Sequence, residues 1–241
     1  EHDPPIFLTD GNTDSCLDVS AAACARAKLA WVADHAPRGA ALLDVGANFG
    51  HFVREAASMY DAVGIEPSAT GVAWARAHLG TSLELGTIDD ERPDFVHRFA
   101  AVTMFDVIEH VPDAGRALAR VRQCLAPGGR LFITTPDTGS LVARALGGRW
   151  YHYDLVQHVA LFNRRNLTQL LQQVGFAVRA ARTFGRTYRL SYIEERLRHM
   201  GATSAFWRAV HAAAVPLRLA PHGRVPLNLG DVMGLVAEVR S

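Results

Sequence analysis

The sequence predicts an α/β fold with a seven-stranded, mostly parallel sheet, helices on both faces and a helical cap. From Gly39 onward, short apolar runs rich in β-branched residues alternate with amphipathic stretches, a pattern typical of βαβ units. Glycine-bearing turns separate several of these runs. The 241 residues suffice for one large α/β domain with additions, and nearly half of them are apolar, so a sizeable core can form.

The strands and helices are placed by these runs and by the residues that flank them. Seven strands are predicted, over Ala41–Val45, Ala62–Glu66, Ser82–Leu85, Ala100–Phe105, Arg130–Thr135, Phe176–Arg182 and Val232–Val239. Ser68 suits the N-cap of a helix and Pro112 suits a first turn. Helices are predicted to begin near Gly50, Ser68, Pro112, Thr138 and Arg165.

The chain is predicted to have three parts. Residues 1–38 form an N-terminal helical segment, with one amphipathic helix over Val19–His35. Residues 39–183 form the core, and residues 184–241 supply a helical cap and the final strand. The cap helices are predicted around Tyr192–Met200 and Ala205–Val215.

Composition and charge narrow the classes of partner. Lys and Arg number 25 against 24 Asp and Glu, so nothing draws the chain towards nucleic acid or an anionic membrane, and a small-molecule substrate is expected. The three cysteines lack CxxC spacing, which predicts reduced thiols in a cytoplasmic protein. No signal sequence opens the chain, although it starts at Glu1 without Met, so a removed leader is left open.

The segment Ala205–Leu219 is apolar but interrupted by Arg208, His211 and Arg218. These charges favour a cap or a homodimer contact over a surface that faces a membrane. No apolar run approaches the roughly 20 residues that a spanning helix needs.

The first motif is a buried strand that runs into a glycine turn, over Leu42–Gly50. Gly46 and Gly50 let the backbone approach a ligand closely, and the helix that follows presents free N–H groups. The spacing of Gly46, Asn48 and Gly50 does not fit the dinucleotide fingerprint G-x-G-x-x-G. Asn48 tolerates a positive φ, so the turn can form, and an ordinary strand-to-helix turn is the alternative interpretation.

A second motif, Val63–Pro67, places an acid at the end of the second strand. Glu66 follows Asp44 by 22 residues. A carboxylate at this place can accept hydrogen bonds from both ribose hydroxyls of a nucleoside. An exposed strand-end acid is the alternative, but the preceding glycine turn favours the ribose role.

A third group of motifs follows the fourth predicted strand. It consists of Met104–Pro112, then the turn Pro127-Gly128-Gly129, then a strand ending in Thr134–Asp137. This order resembles the class I S-adenosylmethionine (SAM)-dependent methyltransferases, in the branch of ubiquinone-biosynthesis and natural-product or sugar O-methyltransferases. The resemblance covers roughly residues 42–176. Ala100 departs from it, because many relatives carry Asp at that place.

The resemblance implies a Rossmann-like fold and SAM as the cofactor. It also implies the residues that bind the cofactor: Asp44, Gly46, Asn48, Gly50, Glu66, Pro67, Thr87, Ile88, Phe105 and Asp106. In relatives, a similar pattern of aromatic residues and His lines the acceptor pocket. The corresponding substrate-binding residues here are Trp150, Tyr151, Tyr153 and Phe162. Core packing is an equal alternative for Trp150 and Phe162.

Methyl transfer to a hydroxyl group benefits from a general base, and neutral imidazole can serve near pH 7. His110 and His158 are the candidates, with a structural or pocket-lining role as the alternative for each. Some metal-dependent relatives use an acid, Glu-His and a distant His, which Asp106, Glu109, His110 and His158 resemble. A divalent metal on Glu109, His110 and His158 is therefore an alternative, but we do not favour it because metal-free relatives also carry Glu-His.

The sequence thus predicts a SAM-dependent methyltransferase acting on a small molecule, at a hydroxyl oxygen of a sugar or secondary metabolite. An N- or C-methyltransferase would carry the same cofactor motifs. A SAM-binding subunit without catalysis is the non-enzymatic alternative. An NAD-dependent oxidoreductase is disfavoured by the glycine spacing and by the absence of a Tyr-x-x-x-Lys motif.

Overall fold

The computed structural model describes residues 19–153, 158–189 and 224–240. Its strands are β1 (Ala41–Val45), β2 (Asp61–Glu66), β3 (Glu84–Leu85), β4 (Phe99–Phe105), β5 (Leu125–Pro136), β6 (Phe176–Thr183), β7 (Arg186–Arg189), β8 (Arg224–Leu227) and β9 (Val232–Val239). Its helices are α1 (Val19–Ala33), α2 (His51–Ala56), α3 (Ala69–Trp74, continued by a π-helical turn over Ala75–Leu79), α4 (Ala114–Cys124), α5 (Leu141–Leu146) and α6 (Arg164–Gln173).

Seven of these strands form one sheet, in the order β3-β2-β1-β4-β5-β9-β6. Strands β1 to β5 pair in parallel, whereas β9 runs antiparallel to both of its neighbours, β5 and β6. The predicted seven-stranded, mostly parallel sheet is confirmed. Strands β1 and β9 also have the bounds that the sequence predicts.

Helices cover both faces of the sheet, as predicted. In β1, Leu42 and Leu43 are both fully buried but belong to different core clusters, because successive side chains of a strand point to opposite faces. One cluster contains Leu118 of α4 and Leu167 of α6. The other contains apolar side chains of α1 and α2, including Phe52.

Helix α1 is anchored by Trp31, which is 3% exposed. Its indole ring makes edge contacts with Phe132 at 5.3 Å and Phe184 at 4.9 Å between ring centroids. Leu29 and Val32 are buried in the same cluster. Apolar packing therefore holds α1 on the sheet, beside the end of β4.

Two helices begin two to three residues later than predicted, and capping explains both shifts. The Asp113 carboxylate accepts a hydrogen bond from the Arg116 N–H, so α4 begins at Ala114 and Pro112 lies before it. Ser140 accepts from the Ala143 N–H in the same way, so α5 begins at Leu141 rather than near Thr138. A side chain that reaches the third N–H after it decides where each helix begins.

The part after β6 differs from the prediction where it is described. The segments β7 and β8 pair as an antiparallel ribbon that the sequence pattern does not reveal. The cap helices predicted around Tyr192–Met200 and Ala205–Val215 lie outside the described residues, as does the apolar segment Ala205–Leu219. In residues 19–153, 158–189 and 224–240, every helix is too short or too polar to span a bilayer.

Burial gives one core carboxyl an unusual ionisation. Asp44 in β1 is 3% exposed and accepts a hydrogen bond from the Thr103 hydroxyl at 2.6 Å. Burial raises the pKa of Asp44 from 3.8 to about 7, although Thr103 and Lys28 oppose the rise. The protonated form of Asp44 is therefore favoured in the folded protein over most of the acidic range.

This ionisation predicts a pH dependence of folding. An Asp whose folded pKa lies above its unfolded pKa costs stability as the pH rises between the two values, here from 3.8 to about 7. Asp44→Asn removes this loss. The free energy of unfolding of the variant, relative to that of wild type, should therefore rise by on the order of 4 kcal/mol from the lower to the upper end of the window. Urea denaturation of both proteins at each end of the window measures this gain. A difference that does not change with pH would contradict it.

Candidate functional site

In the turn after β1, three residues at alternate positions have a left-handed backbone conformation. Gly46, Asn48 and Gly50 have φ values of +71°, +51° and +74°. Asn48 therefore adopts the positive φ that the sequence predicts for it. A side chain at Gly46 would bring its Cβ within 2.7 Å of Val107, so only glycine lets this turn approach the loop after β4.

Glu66, at the end of β2, ties this turn to the next segment. Its Oε2 accepts a hydrogen bond from the Asn48 N–H at 2.7 Å, and its Oε1 accepts from the Ser68 N–H at 2.9 Å. The Glu66 side chain is largely buried, whereas Pro67 is exposed. Ser68 in turn caps α3 by accepting from the Gly71 N–H. One carboxylate thus holds two backbone segments at the carboxyl edge of the sheet.

The loop after β3 also lies against Glu66, because the Gly86 N–H donates to its backbone oxygen at 3.0 Å. Thr87 is exposed, and both its N–H and its hydroxyl donate to Asp90. Ile88 is buried in the core. The structure therefore brings the predicted residues of β1, β2 and β3 to one edge, and it adds Asp90 as the residue that shapes the third loop.

At the end of β4, Asp106 has a φ of +58°, which is uncommon for a residue with a side chain. Its Oδ1 accepts from the Thr134 hydroxyl at 3.2 Å, and its Oδ2 accepts from the Lys28 ammonium at 3.0 Å. Phe105 packs edge-on against Phe52, with 4.9 Å between ring centroids. Sequence reasoning missed Lys28, because its position in α1 carries no sign that it reaches β4.

The Glu-His pair after β4 meets His158 in space. The possible ligand atoms of Glu109, His110 and His158 all lie within 4.8 Å of one another. Glu109 is 2% exposed, and its Oε2 accepts from the Thr135 hydroxyl. The rings of His110 and His158 are 4.9 Å apart between centroids. The cluster contains one buried carboxylate and two half-buried imidazoles. An imidazole of this kind can accept a proton, and the three side chains together can bind a divalent ion.

The tautomer of neutral His158 follows from its hydrogen bond. Its Nδ1 lies 2.7 Å from the backbone oxygen of His152. A carbonyl oxygen can only accept, so Nδ1 carries the hydrogen and Nε2 of the neutral ring carries the lone pair. The basic nitrogen of His158 is therefore Nε2.

The aromatic segment that begins at Trp150 is organised by a buried acid that sequence reasoning missed. Asp231 immediately precedes β9 and is 2% exposed. Its Oδ2 accepts from the Trp150 indole N–H at 3.4 Å and from the Tyr151 hydroxyl, and it lies 3.9 Å from Nε2 of His152. Only the antiparallel course of β9 brings a residue that precedes a strand to the carboxyl edge of the sheet.

The four predicted substrate-binding residues are not equally accessible. Trp150 and Phe162 are buried, and Phe162 belongs to the main core cluster. Tyr151 is half-buried and bound to Asp231, and Tyr153 is 36% exposed. Tyr153 is therefore the member of this set with the most accessible ring.

The Asp231 contacts predict a large effect of removing the acid. Asp231→Ala leaves the donors of buried Trp150 and half-buried Tyr151 without this acceptor, and an unsatisfied buried donor costs about 1–3 kcal/mol. Asp231→Asn keeps an acceptor oxygen in the same place and is the matched control. We expect Asp231→Ala to lower the free energy of unfolding by about 2–4 kcal/mol and the Asn variant to lose less. Equal losses in guanidinium denaturation would contradict the acceptor role.

Comparison with known proteins identifies the family. A family profile described as "Methyltransferase domain" matches residues 20–181. A ubiquinone biosynthesis O-methyltransferase of Rhodopseudomonas palustris (strain BisB18) is 34% identical over 104 residues, which cover 40% of this chain and 40% of that protein. The aligned part is thus less than half the length of this curated relative.

Solved structures share the fold at low sequence identity. A SAM-dependent methyltransferase from Archaeoglobus fulgidus matches with a TM-score of 0.61 and 13% identity, covering 90% of this chain and 94% of that chain. Phosphoethanolamine N-methyltransferase 2 of Haemonchus contortus, in complex with SAM, matches with a TM-score of 0.58 and 19% identity, covering 90% and 53%. The family profile matches more than half of the chain, and the chain therefore belongs to the class I SAM-dependent methyltransferases, whose cofactor is S-adenosylmethionine.

Proposed function

We propose that this protein transfers a methyl group from SAM to a hydroxyl oxygen of a small molecule in cytoplasmic biosynthesis. The observation that carries the proposal is the glycine turn held against Glu66 by the 2.7 Å hydrogen bond from the Asn48 N–H. The free thiols of Cys24 and Cys124 support the cytoplasmic location. The proposal keeps two further expectations from the sequence. The protein forms a homodimer, and residues 184–241 supply a helical cap and the final strand of the core.

The residues present fit the adenosyl part of the cofactor. Each oxygen of Glu66 accepts one backbone N–H, and a carboxylate oxygen can accept more than one hydrogen bond, so ribose hydroxyls can still donate to it. In the proposal, Asp44, Gly46 and Gly50 shape the turn beside the cofactor. The remaining proposed contacts come from Asn48, Pro67, Thr87, Ile88, Phe105 and Asp106.

Bound SAM would supply an electrophilic methyl group on a positively charged sulfur. The protein's own contribution is to orient the acceptor oxygen in line with that methyl group and to exclude water. The rings of Phe105 and Tyr151, both half-buried, would restrict water at the carboxyl edge. Of the four predicted acceptor contacts, Tyr153 would touch the acceptor directly, while Trp150 and Phe162 would support the wall from the core.

Proton removal from the acceptor hydroxyl is assigned to the histidine pair. His158 holds Nδ1–H on a backbone oxygen, so its Nε2 can accept a proton. His110 lies beside it, with 4.9 Å between ring centroids, and is the second candidate for the base. As the new O–C bond forms and the S–C bond breaks, the hydroxyl proton would pass to this imidazole.

A divalent ion is the second candidate role for the same cluster. The ligand atoms of Glu109, His110 and His158 lie close enough for one ion, and His158 donates its other ring N–H to a carbonyl, as metal-bound histidines commonly do. Such an ion would polarise the acceptor oxygen. We favour the metal-free base, because the same geometry serves proton transfer without an ion.

Two alternatives concern the acceptor and turnover. The relative named above is an O-methyltransferase, which supports an oxygen acceptor, whereas a structural neighbour is an N-methyltransferase. The cofactor motifs do not distinguish these, nor a C-methyltransferase. A SAM-binding subunit without catalysis would bind the cofactor but fail to release S-adenosylhomocysteine with any acceptor.

The Glu66 contact predicts a specific loss of cofactor affinity. Glu66→Gln keeps the size of the side chain and one acceptor oxygen for the backbone but removes the charge that strengthens ribose hydrogen bonds. We expect the Kd for S-adenosylhomocysteine to rise about ten- to hundredfold in calorimetry. Asp61→Asn, at the other end of β2, is the control and should bind like wild type. Unchanged affinity in the Gln variant would refute the ribose role.

The histidine assignment predicts a loss of turnover without a loss of cofactor binding. His158→Gln should lower kcat by about 10²- to 10⁴-fold, because it removes the proton acceptor. The affinity for S-adenosylhomocysteine should stay unchanged. His110→Gln tests the neighbouring ring, and His78→Gln is the control, because His78 is an exposed histidine in the π-helical turn that continues α3. If dialysis against EDTA abolishes activity and Mg²⁺ or Mn²⁺ restores it, the metal role replaces the base.

A further inference from the structure

A cleft of about 540 Å³ opens beside the end of β4, between α1 and the turn that joins β6 to β7. We call it the α1 cleft. Its α1 wall is made by Ala23 and Ala27, and the opposite wall by Phe184 and Gly185. Its volume lies within the range of about 300–1,000 Å³ that is usual for small-molecule sites.

The polar end of the α1 cleft is the ion pair between Lys28 and Asp106, at 3.0 Å. Asp106 is the first residue after β4, where the predicted cofactor contacts end. Its left-handed backbone (φ +58°) is a costly conformation for a residue with a side chain. The cleft therefore begins at the carboxyl edge that carries the proposed cofactor site.

The ion pair is not needed to dock α1. Trp31, Leu29 and Val32 already bury the helix against the sheet. The Lys28 and Asp106 side chains are 19% and 30% exposed, and pairs that reach solvent contribute only about 0–1 kcal/mol to stability. The ammonium also lies 4.7 Å from the centroid of the Phe105 ring. Lys28 is thus held on the cleft wall beside two residues of the proposed cofactor site.

We propose that the α1 cleft is the acceptor site and that Lys28, held by Asp106, binds the acceptor's hydroxyl group. This inference rests on the proposed function. The Lys28 ammonium donates to the hydroxyl oxygen and the Asp106 carboxylate holds that ammonium in place, so the hydroxyl hydrogen stays available to the histidine pair. Both residues are positioning residues for the oxygen that receives the methyl group.

The walls of the cleft select the class of acceptor. Apart from Cys24, Asn228 and the ion pair, its described lining is apolar or glycine, with Leu227 and Val232 completing the walls. A sugar would bury several hydroxyls against these walls, and each unpaired one would cost about 1–3 kcal/mol. The acceptor is therefore an apolar molecule with a hydroxyl group rather than a sugar.

This location differs from the aromatic segment that the sequence predicts for the acceptor. None of Trp150, Tyr151, Tyr153 and Phe162 is among the described residues that line the α1 cleft. The two places are linked by adjacent residues. Val232 lines the cleft, and the residue before it, Asp231, binds Trp150 and Tyr151. With the acceptor in the α1 cleft, the aromatic segment would support the edge of the acceptor site from behind, and Tyr153 would not make the direct contact given above.

A thiol on the cleft wall permits a test without turnover. Cys24 is half-buried on the α1 wall. Cys124 is buried, and burial raises the pKa of its thiol to about 11, so it should resist alkylation. In the full chain carrying Cys16→Ser, saturated with S-adenosylhomocysteine, the alkylation rate of Cys24 by N-ethylmaleimide reports occupancy of the cleft. The probe is 2-naphthol, an apolar ring system with one hydroxyl, and methyl glucoside is the sugar control.

We expect 2-naphthol to slow the alkylation of Cys24 several-fold and methyl glucoside to have no effect. Lys28→Met keeps the length and helix propensity of the side chain but removes its charge, and it should abolish the protection. Lys28→Arg should restore part of it. Arg26→Met is the matched control, because Arg26 is a cation of α1 that pairs with Glu55 away from the cleft, and it should keep full protection.

Two results separate this inference from the proposed function. If wild type does not bind S-adenosylhomocysteine in calorimetry, the proposed function fails. If it binds, but 2-naphthol leaves the Cys24 rate unchanged, or protects Lys28→Met as well as Arg26→Met, the acceptor site proposed here is wrong. Protection by methyl glucoside equal to that by 2-naphthol would overturn the choice of an apolar acceptor.

Discussion

The carboxylate of Glu66 joins the parts from which the cofactor site is assembled. Its two oxygens accept the N–H groups of Asn48 and Ser68, so the turn after β1 and the start of α3 share one anchor. The same residue's backbone oxygen accepts from Gly86 after β3. Three segments at the carboxyl edge, two of them about twenty residues away in the chain, therefore contact one buried residue.

The second half of the site depends on the direction of β9. Parallel strands deliver the residues that follow them to the carboxyl edge, as Asp106 and the Glu-His pair show. Strand β9 is antiparallel, so the residue that precedes it arrives at that edge instead. Asp231 thereby reaches the aromatic segment some eighty residues earlier in the chain. Its buried carboxylate organises Trp150 and Tyr151 next to the histidine cluster.

The sequence predicts the sheet well because each strand is marked by a pattern of neighbouring residues. The apolar runs of β1 and β9 have the predicted bounds, and the positive φ of Asn48 follows from its place between two glycines. Helices α4 and α5 begin later than predicted because the residue that caps each helix lies one or two residues after the predicted start. The ribbon of β7 and β8 was missed because two four-residue segments far apart in the chain carry too little pattern to reveal their pairing.

The candidate site divides in the same way. Gly46, Glu66 and the histidines carry recognisable spacing, so the sequence points to them. Lys28 and Asp231 contribute through contacts across 78 and 81 residues of chain, which no local pattern encodes. The metal-ligand geometry and the single basic nitrogen of His158 likewise appear only when the loops are brought together. The tertiary structure therefore reveals Lys28 and Asp231, which hold other side chains of the site in place and which the sequence alone does not indicate.

The most direct test of the account is calorimetric titration of the unmodified protein with S-adenosylhomocysteine, with NAD as the comparison ligand. The glycine turn and Glu66 predict saturable binding of one adenosyl ligand per chain and no binding of NAD. Absence of binding to S-adenosylhomocysteine, or saturable binding of NAD in its place, would contradict the central claim that this edge of the sheet is built for SAM.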